Sequence, residues 1–168
     1  WPAFTEDPLI DVHLNTLALP RAWLVYRTQP VSDYGAARHY IQSPEFAPEA
    51  IAVIEDGPQL EKEGSGHIEV LHYSPNEVRL AVQTDTRALL ILSDVYYPGW
   101  HAEVDKNPVP LYRTNATFRG IIVPAGSHQI RMRFWPTSLQ QGLVLATAAL
   151  VCLLRTFVWP RHKVDAKH

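Results

Sequence analysis

The side chains best suited to chemistry are a set of aromatic, acidic, amide and basic residues in the second half of the sequence. They are Asp94, Tyr96, Tyr97, Trp100, Asn115 and Arg119. Aromatic rings stack on sugar faces, while carboxylates and amides bind hydroxyl groups, so the set suits contact with a glycan. The alternative is architectural: the two tyrosines and Trp100 pack the domain and its turn, while Asp94 accepts backbone N–H bonds. We favour the architectural interpretation.

Other catalytic patterns are weaker. Asp94 and Asp105 are two carboxylates separated by a turn. This arrangement fits no retaining or inverting glycosidase geometry that a sequence can test. None of the eight histidines stands at a spacing that directs two ring nitrogens to one metal. The single cysteine, Cys152, allows no disulfide framework. The sequence therefore predicts no catalytic residue, no metal and no cofactor.

Charge and composition exclude a further class of partner. Lysine and arginine total 15 against 17 aspartate and glutamate, so the net charge is −2. A near-neutral chain lacks the basic footprint of a nucleic-acid-binding protein, and we expect no nucleic-acid partner. The length of 168 residues suits one folded domain with appendages.

The elements that must position the candidate residues are predicted to be strands. Fourteen prolines are spread along the chain, and short apolar runs stand between turn signals. Apolar and polar residues alternate clearly near residues 77–83, as in a strand with one solvated face. Ala88 to Leu92 is instead apolar throughout, as in a central strand. A short helix capped by Ser32 or Asp33 must end before Pro44. We expect an irregular lead-in over 1–20 and about eight strands over 21–136, in a β-sandwich or a jelly-roll-like arrangement.

The Tyr97-Pro98-Gly99-Trp100 run is the clearest turn. Proline at the second position and glycine at the third position are what a type II turn requires, because its third residue has a positive φ. The sequence therefore predicts that Gly99 adopts positive φ between two core strands.

The segment 139–159 differs in kind from the rest. Gly142 to Leu154 carries no charge, and about 20 residues of helix span the roughly 30 Å hydrocarbon core of a bilayer. Trp135 and Trp159 bracket the segment as interfacial aromatics do. A buried amphipathic helix is the alternative, but the run has no polar face. The tail over 160–168 is basic, which predicts a cytoplasmic C-terminus and an extracytoplasmic β domain.

A sequence resemblance agrees with this membrane arrangement. The residues that carry it are Leu92 to Trp100, Val104-Asp105, Val109 to Asn115, Val123 to His128 and, upstream, Leu19 to Ala22. Together they resemble the C-terminal region of the YfhO family of bacterial membrane proteins. The sequence departs from the family at Lys106-Asn107, where the family tends to carry Asp-Gly, although an asparagine in this turn can still take positive φ.

The resemblance implies a bacterial multi-pass membrane protein similar to the GT-C glycosyltransferases, which take sugars from polyprenyl-phosphate donors on the outer face of the membrane. Their catalytic acidic residues lie in an early extracytoplasmic loop, and no such region occurs in this chain. The chain begins Trp1-Pro2-Ala3 without a methionine, and we interpret it as a piece of a longer protein. We expect it to assist acceptor binding or to support the helical part.

The partners implied are the lipid bilayer, the remaining transmembrane helices, and a cell-envelope glycan or a polyprenyl-linked sugar. The second hypothesis is a membrane-anchored carbohydrate-binding or structural β module with no enzymatic parent.

Overall fold

Two β-sheets and two helices make up the chain in a computed structural model, which describes Asn15 and residues 18–158, with side chains as far as Thr156. Most of the predicted lead-in over 1–20, Trp159 and the basic tail over 160–168 lie outside the described residues. The predicted mainly β fold with one C-terminal apolar helix is confirmed.

The first sheet has six strands. In spatial order they are β1 (Ala22–Val25), β6 (Ala88–Val95), β10 (Phe118–Val123), β9 (Tyr112–Thr114), β3 (Ile51–Glu55) and β2 (Arg27–Val31). β2 and β3 pair in parallel, and the other neighbours are antiparallel.

The second sheet has five strands, all paired antiparallel. In spatial order they are β4 (Gly66–Ser74), β5 (Glu77–Thr84), β11 (Gly126–Phe134), β7 (Trp100–Val104) and β8 (Asn107–Val109).

The main core lies between the two sheets. Leu90 and Ile121 of the first sheet belong to the same buried cluster as Leu80 and Met132 of the second sheet, and each of the four is fully buried. Full burial of an aliphatic side chain contributes about 1.5–3 kcal/mol, so this layer holds the sheets together. The architecture is a two-sheet sandwich.

β6 is covered on both faces, as its uninterrupted apolar run predicts. Leu90 and Leu92 face the second sheet, whereas Leu89 and Ile91 join a second buried cluster on the opposite face of the first sheet. The strand lies between β1 and β10, so its backbone is paired on both edges as well. A charge anywhere in 88–92 would have no access to water.

The helix α1 (Tyr34–Ile41) forms the crossover between the two parallel strands. Asp33 caps it by accepting a hydrogen bond from the backbone N–H of Ala36 at 2.9 Å. Its buried residue, Ala37, packs in a third small cluster with Val53 of β3. The predicted cap and the predicted end before Pro44 are both confirmed.

The described residues form eleven strands where about eight were expected, and proline explains two of the additional ones. Pro30 lies in β2 and Pro108 in β8, and each of these strands is the outermost strand of its sheet. Proline has no N–H to donate to a ladder, so it is tolerated at an edge. The third addition arises because 66–84 forms two strands, of which β4 is exposed along most of its length and lacks an alternating pattern.

The turn between β7 and β8 differs from the sequence expectation in which residues take positive φ. The residues with positive φ are Asp105 (51°) and Lys106 (68°), whereas Asn107 begins β8. Two central residues of positive φ define a type I′ hairpin, which favours asparagine and glycine. Lysine therefore occupies a position that suits glycine better.

The second helix, α2 (Thr137–Val158), is separated from the end of β11 by two residues and projects from the sandwich. Residues Thr137–Thr156 are long and apolar enough to cross a membrane, with a mean hydropathy of 1.6, and none of this window is buried against the rest of the chain. Such an apolar and uncovered helix fits lipid better than water.

Candidate functional site

The sequence-predicted residues gather at the end of the sandwich from which α2 leaves. Asp94 is the next-to-last residue of β6, Arg119 lies near the start of β10, and Trp100 begins β7. β11 ends at Phe134 opposite Trp100, which places the start of α2 at the same end. We call this region the helix-side end.

Asp94 is the centre of a charged network that joins the sheets. Its carboxylate accepts hydrogen bonds from Arg119 Nη2 at 2.6 Å, Arg21 Nη1 at 2.9 Å and Tyr73 Oη at 2.8 Å. Arg21 and Arg119 come from the first sheet or its edge, whereas Tyr73 is on β4 of the second sheet. The donors are side chains, not the backbone N–H groups that the sequence suggested.

Arg119 is the most buried charge of the network, with its side chain 4% exposed. Its guanidinium carbon lies 3.7 Å from the centre of the Trp100 ring, a cation–π contact between the two sheets. Burial lowers the pKa of Arg119, and the charge of Asp94 opposes that shift. Arginine stays protonated in proteins, so removing Asp94 would leave a buried cation unpaired.

Burial also raises the pKa of Tyr73, and the hydrogen bond to Asp94 raises it further. The phenol therefore stays protonated and acts as a donor. Sequence reasoning missed Tyr73 and Arg21, because each is far from Asp94 along the chain and meets it only when the sheets stack and β1 pairs with β6. No local pattern in the sequence carries that information.

The aromatic turn is fixed to the start of the helix. The backbone N–H of Trp100 donates to the carbonyl of Tyr97 at 3.4 Å, and Gly99 has a φ of +103°, as predicted. The carbonyl of Gly99 accepts from the N–H of Trp135 at 2.7 Å. A Cβ at Gly99 would lie 3.0 Å from Cα of Pro136, the residue before α2.

The aromatic side chains of the turn have different environments. Trp100 packs against the inter-sheet core and lies 5.6 Å from the ring of Phe134. Tyr96 is half-buried, with the guanidinium of Arg113 5.1 Å from its ring centre. Tyr97 contacts Phe134 at 6.2 Å between ring centres but is 61% exposed. The architectural interpretation thus suits Trp100 best and Tyr97 least.

Asn115 holds a turn of the first sheet. Its Oδ1 accepts from the N–H of Val53 at 2.9 Å, and its own N–H donates to the carbonyl of Val53 at the same distance. The residue is buried and has a φ of 46°. These contacts give Asn115 a structural role in linking β9 to β3.

Comparison with protein-family models identifies the family of the chain. A family model described as bacterial membrane protein YfhO matches residues 59–146, more than half of the sequence. The chain belongs to the YfhO family. No curated protein and no solved structure matches it.

The YfhO match covers β4 to β11 and the first part of α2, so it includes Asp94, Trp100 and Arg119. Membership of a membrane-protein family and the apolar α2 together support membrane localisation. The aromatic turn and the start of the helix are thus parts of one YfhO-family segment.

The chemistry open to this YfhO-family site is limited. The Asp94 carboxylate is engaged by three donors, which leaves it poorly placed as a general base. Asp105 lies at the other end of β7 and bonds to His128 Nδ1 at 2.7 Å, so the two aspartates form no catalytic pair. Among the described residues no group of three or more His, Cys, Asp or Glu could hold a metal ion.

The outer face of the second sheet carries a second charged cluster. Glu77 accepts from Arg79 Nε at 2.8 Å and from Arg131 Nε at 2.7 Å. These two hydrogen bonds lower the pKa of Glu77 to about 2. Arg79 lies on the same strand as Glu77, whereas Arg131 lies on β11, so the Glu77–Arg131 pair is the contact that joins β5 to β11.

Proposed function

We propose that residues 21–136 form an extracytoplasmic domain of a multi-pass YfhO-family protein, which α2 holds on the membrane and which supports the helical part. One observation carries the proposal: the chain enters and leaves the sandwich at the same end. A domain inserted between two membrane spans needs this arrangement.

The incoming strand is attached to the helix-side end by two contacts. The N–H of Ser93 donates to the carbonyl of Arg21 at 2.9 Å, and Arg21 forms an ion pair with Asp94. The outgoing chain is attached there through the hydrogen bond from Trp135 to Gly99. The Asp94 network and the aromatic turn thus attach both connections to the same end of the domain.

The wider activity rests on the family resemblance. It implies a GT-C-like glycosyltransferase that uses polyprenyl-phosphate-linked sugars, with catalytic acidic residues in another loop. This domain would then position an acceptor or brace the helices, and the engaged state of Asp94 favours the bracing role. The basic tail over 160–168 supports a cytoplasmic C-terminus by the positive-inside tendency.

A second candidate is glycan contact by the domain, with or without an enzymatic parent. The observation in its favour is Tyr97, an aromatic ring of the turn that is 61% exposed. Titration of the chain with cell-envelope oligosaccharides tests it. Saturable binding that Tyr97→Ala abolishes would favour this candidate over the bracing role.

Cysteine labelling of the full-length protein in intact cells tests the proposed sidedness. In a background without other cysteines, Lys106→Cys places a thiol on the exposed β7–β8 turn. A membrane-impermeant maleimide should label it without lysis. The matched control keeps Lys106 and retains the native Cys152 within α2 as its single thiol, and it should stay unlabelled. Labelling at position 106 only after lysis would contradict an extracytoplasmic domain.

A further inference from the structure

We propose that the helix-side end of the sandwich lies in the lipid headgroup layer, with Tyr97 and Trp135 at the bilayer interface and Arg133 directed to lipid phosphates. This inference rests on the proposed function, in which α2 spans the membrane. It adds a defined contact surface and fixes which end of the domain faces the lipid.

Distance along the chain supports this placement. Leu139 is the first apolar residue of α2, and Pro136 precedes it by three residues, about 4.5 Å of helical rise. The headgroup layer on each side of the hydrocarbon core is roughly 5–8 Å thick. Pro136 therefore falls within that layer, and the Gly99 turn that touches Pro136 must lie in it or at its outer boundary.

The exposed side chains at this end are those that an interface accommodates. Tyr97 is 61% exposed, Val95 69% and Trp135 37%. Tyrosine and tryptophan are enriched where membrane meets water, because each ring is apolar on its body and polar at one point. At the opposite end, the β7–β8 turn instead exposes Asp105 and Lys106.

Charge at the helix-side end fits a phosphate-bearing surface. The guanidinium of the exposed Arg133 lies 5.0 Å from the centre of the Trp135 ring, directly beside the start of α2. Arg21, whose Nη1 is paired with Asp94, has a side chain that is 57% exposed and leaves its other donors open to solvent. Arginine binds phosphate oxygens in a bidentate manner, and juxtamembrane cations are attracted to anionic lipids.

Spin labels at three positions test the proposal in vesicles of phosphatidylethanolamine and phosphatidylglycerol. One label is attached to the native Cys152 of the otherwise unchanged chain. The other two are attached after Tyr97→Cys or Lys106→Cys in a Cys152→Ala background. Collision rates are measured with oxygen, which concentrates in lipid, and with a water-soluble nickel chelate. Val95→Cys gives a second position at the helix-side end in case Tyr97→Cys perturbs folding.

We expect the label at position 97 to collide severalfold less with the nickel chelate than the label at position 106, and more with oxygen. Equal collision rates at 97 and 106 would overturn the proposal. Low rates with both reagents at 97 would also overturn it, since they indicate burial against a second protein copy. The label at Cys152 tests the membrane span of α2 separately from the position of the helix-side end. Strong collision with the nickel chelate at Cys152 would contradict the span itself.

Discussion

The guanidinium of Arg119 lies against the ring of Trp100, 3.7 Å from its centre, and this contact joins the two sheets where the membrane-directed helix begins. Arg119 also forms an ion pair with Asp94 at 2.6 Å. The buried cation is thus held between a carboxylate of its own sheet and an aromatic ring of the other. Removing either neighbour should destabilise the fold, because the buried guanidinium would lose a group that offsets its desolvation.

Replacing Trp100 by alanine should lower the free energy of unfolding by about 3 kcal/mol, toward the low end of the range for buried tryptophan, because the indole is only half-buried. Thermal unfolding of the chain in detergent measures this. Tyr97→Ala is the matched control, and as an exposed aromatic it should change stability by about 0.5 kcal/mol or less. An unchanged melting temperature for Trp100→Ala, with loss of oligosaccharide binding, would instead identify the turn as a glycan platform.

Replacing Gly99 by valine should destabilise the domain by about 1–3 kcal/mol, because valine disfavours a φ of +103° and its Cβ would lie 3.0 Å from Cα of Pro136. Denaturant titration followed by tryptophan fluorescence measures the loss. Gly142→Ala is the control, since a Cβ at this helical glycine meets nothing within 4 Å. Equal effects of the two substitutions would mean that the turn does not depend on glycine.

Replacing Lys106 by glycine should stabilise the domain by about 0.5–1 kcal/mol, the net of the strain that a left-handed lysine carries and the greater freedom of glycine in the unfolded chain. Lys106→Ala removes the same charge but keeps the strain, and it should bring no gain. A rise in melting temperature with alanine as large as that with glycine would show that charge, not backbone conformation, matters at this turn.

Stability should decrease as pH rises from about 6.5, because the hydrogen bond to Asp105 raises the pKa of His128 above its ordinary value of 6.5. A group whose pKa is raised by folding stabilises fully below its unfolded pKa and loses that contribution as pH passes its folded pKa. Melting temperatures of wild type and His128→Gln, measured from pH 5 to 9, give the difference. The difference in melting temperature between wild type and His128→Gln should narrow as pH rises. A difference that widens would contradict a raised pKa for His128 in the folded protein. His72→Gln on the exposed strand β4 is the control.

Local features of the fold could be predicted from the sequence. The Asp33 cap, the buried run Ala88 to Leu92 and the positive φ of Gly99 each depend on a few adjacent residues, and each is confirmed. Edge strands were harder to predict, because Pro30 and Pro108 argue against strands unless the strand order is known.

The candidate site could be predicted only in part. The sequence singled out Asp94, Trp100 and Arg119 by residue type, and the structure brings them into contact. Tyr73 and Arg21 escaped notice, because only sheet stacking and strand pairing bring them to Asp94. The same long-range packing engages the Asp94 carboxylate with three donors, which favours the proposed bracing role.

Alkaline carbonate extraction of membranes that contain the intact chain, compared with a chain ending at Ser138, measures whether α2 anchors the domain in lipid. We expect the intact chain to stay with the lipid pellet, because Thr137–Thr156 is apolar and uncovered. The shortened chain should leave with the supernatant as a folded β domain. An intact chain found wholly in the supernatant would contradict the claim that α2 anchors this YfhO-family domain in a membrane.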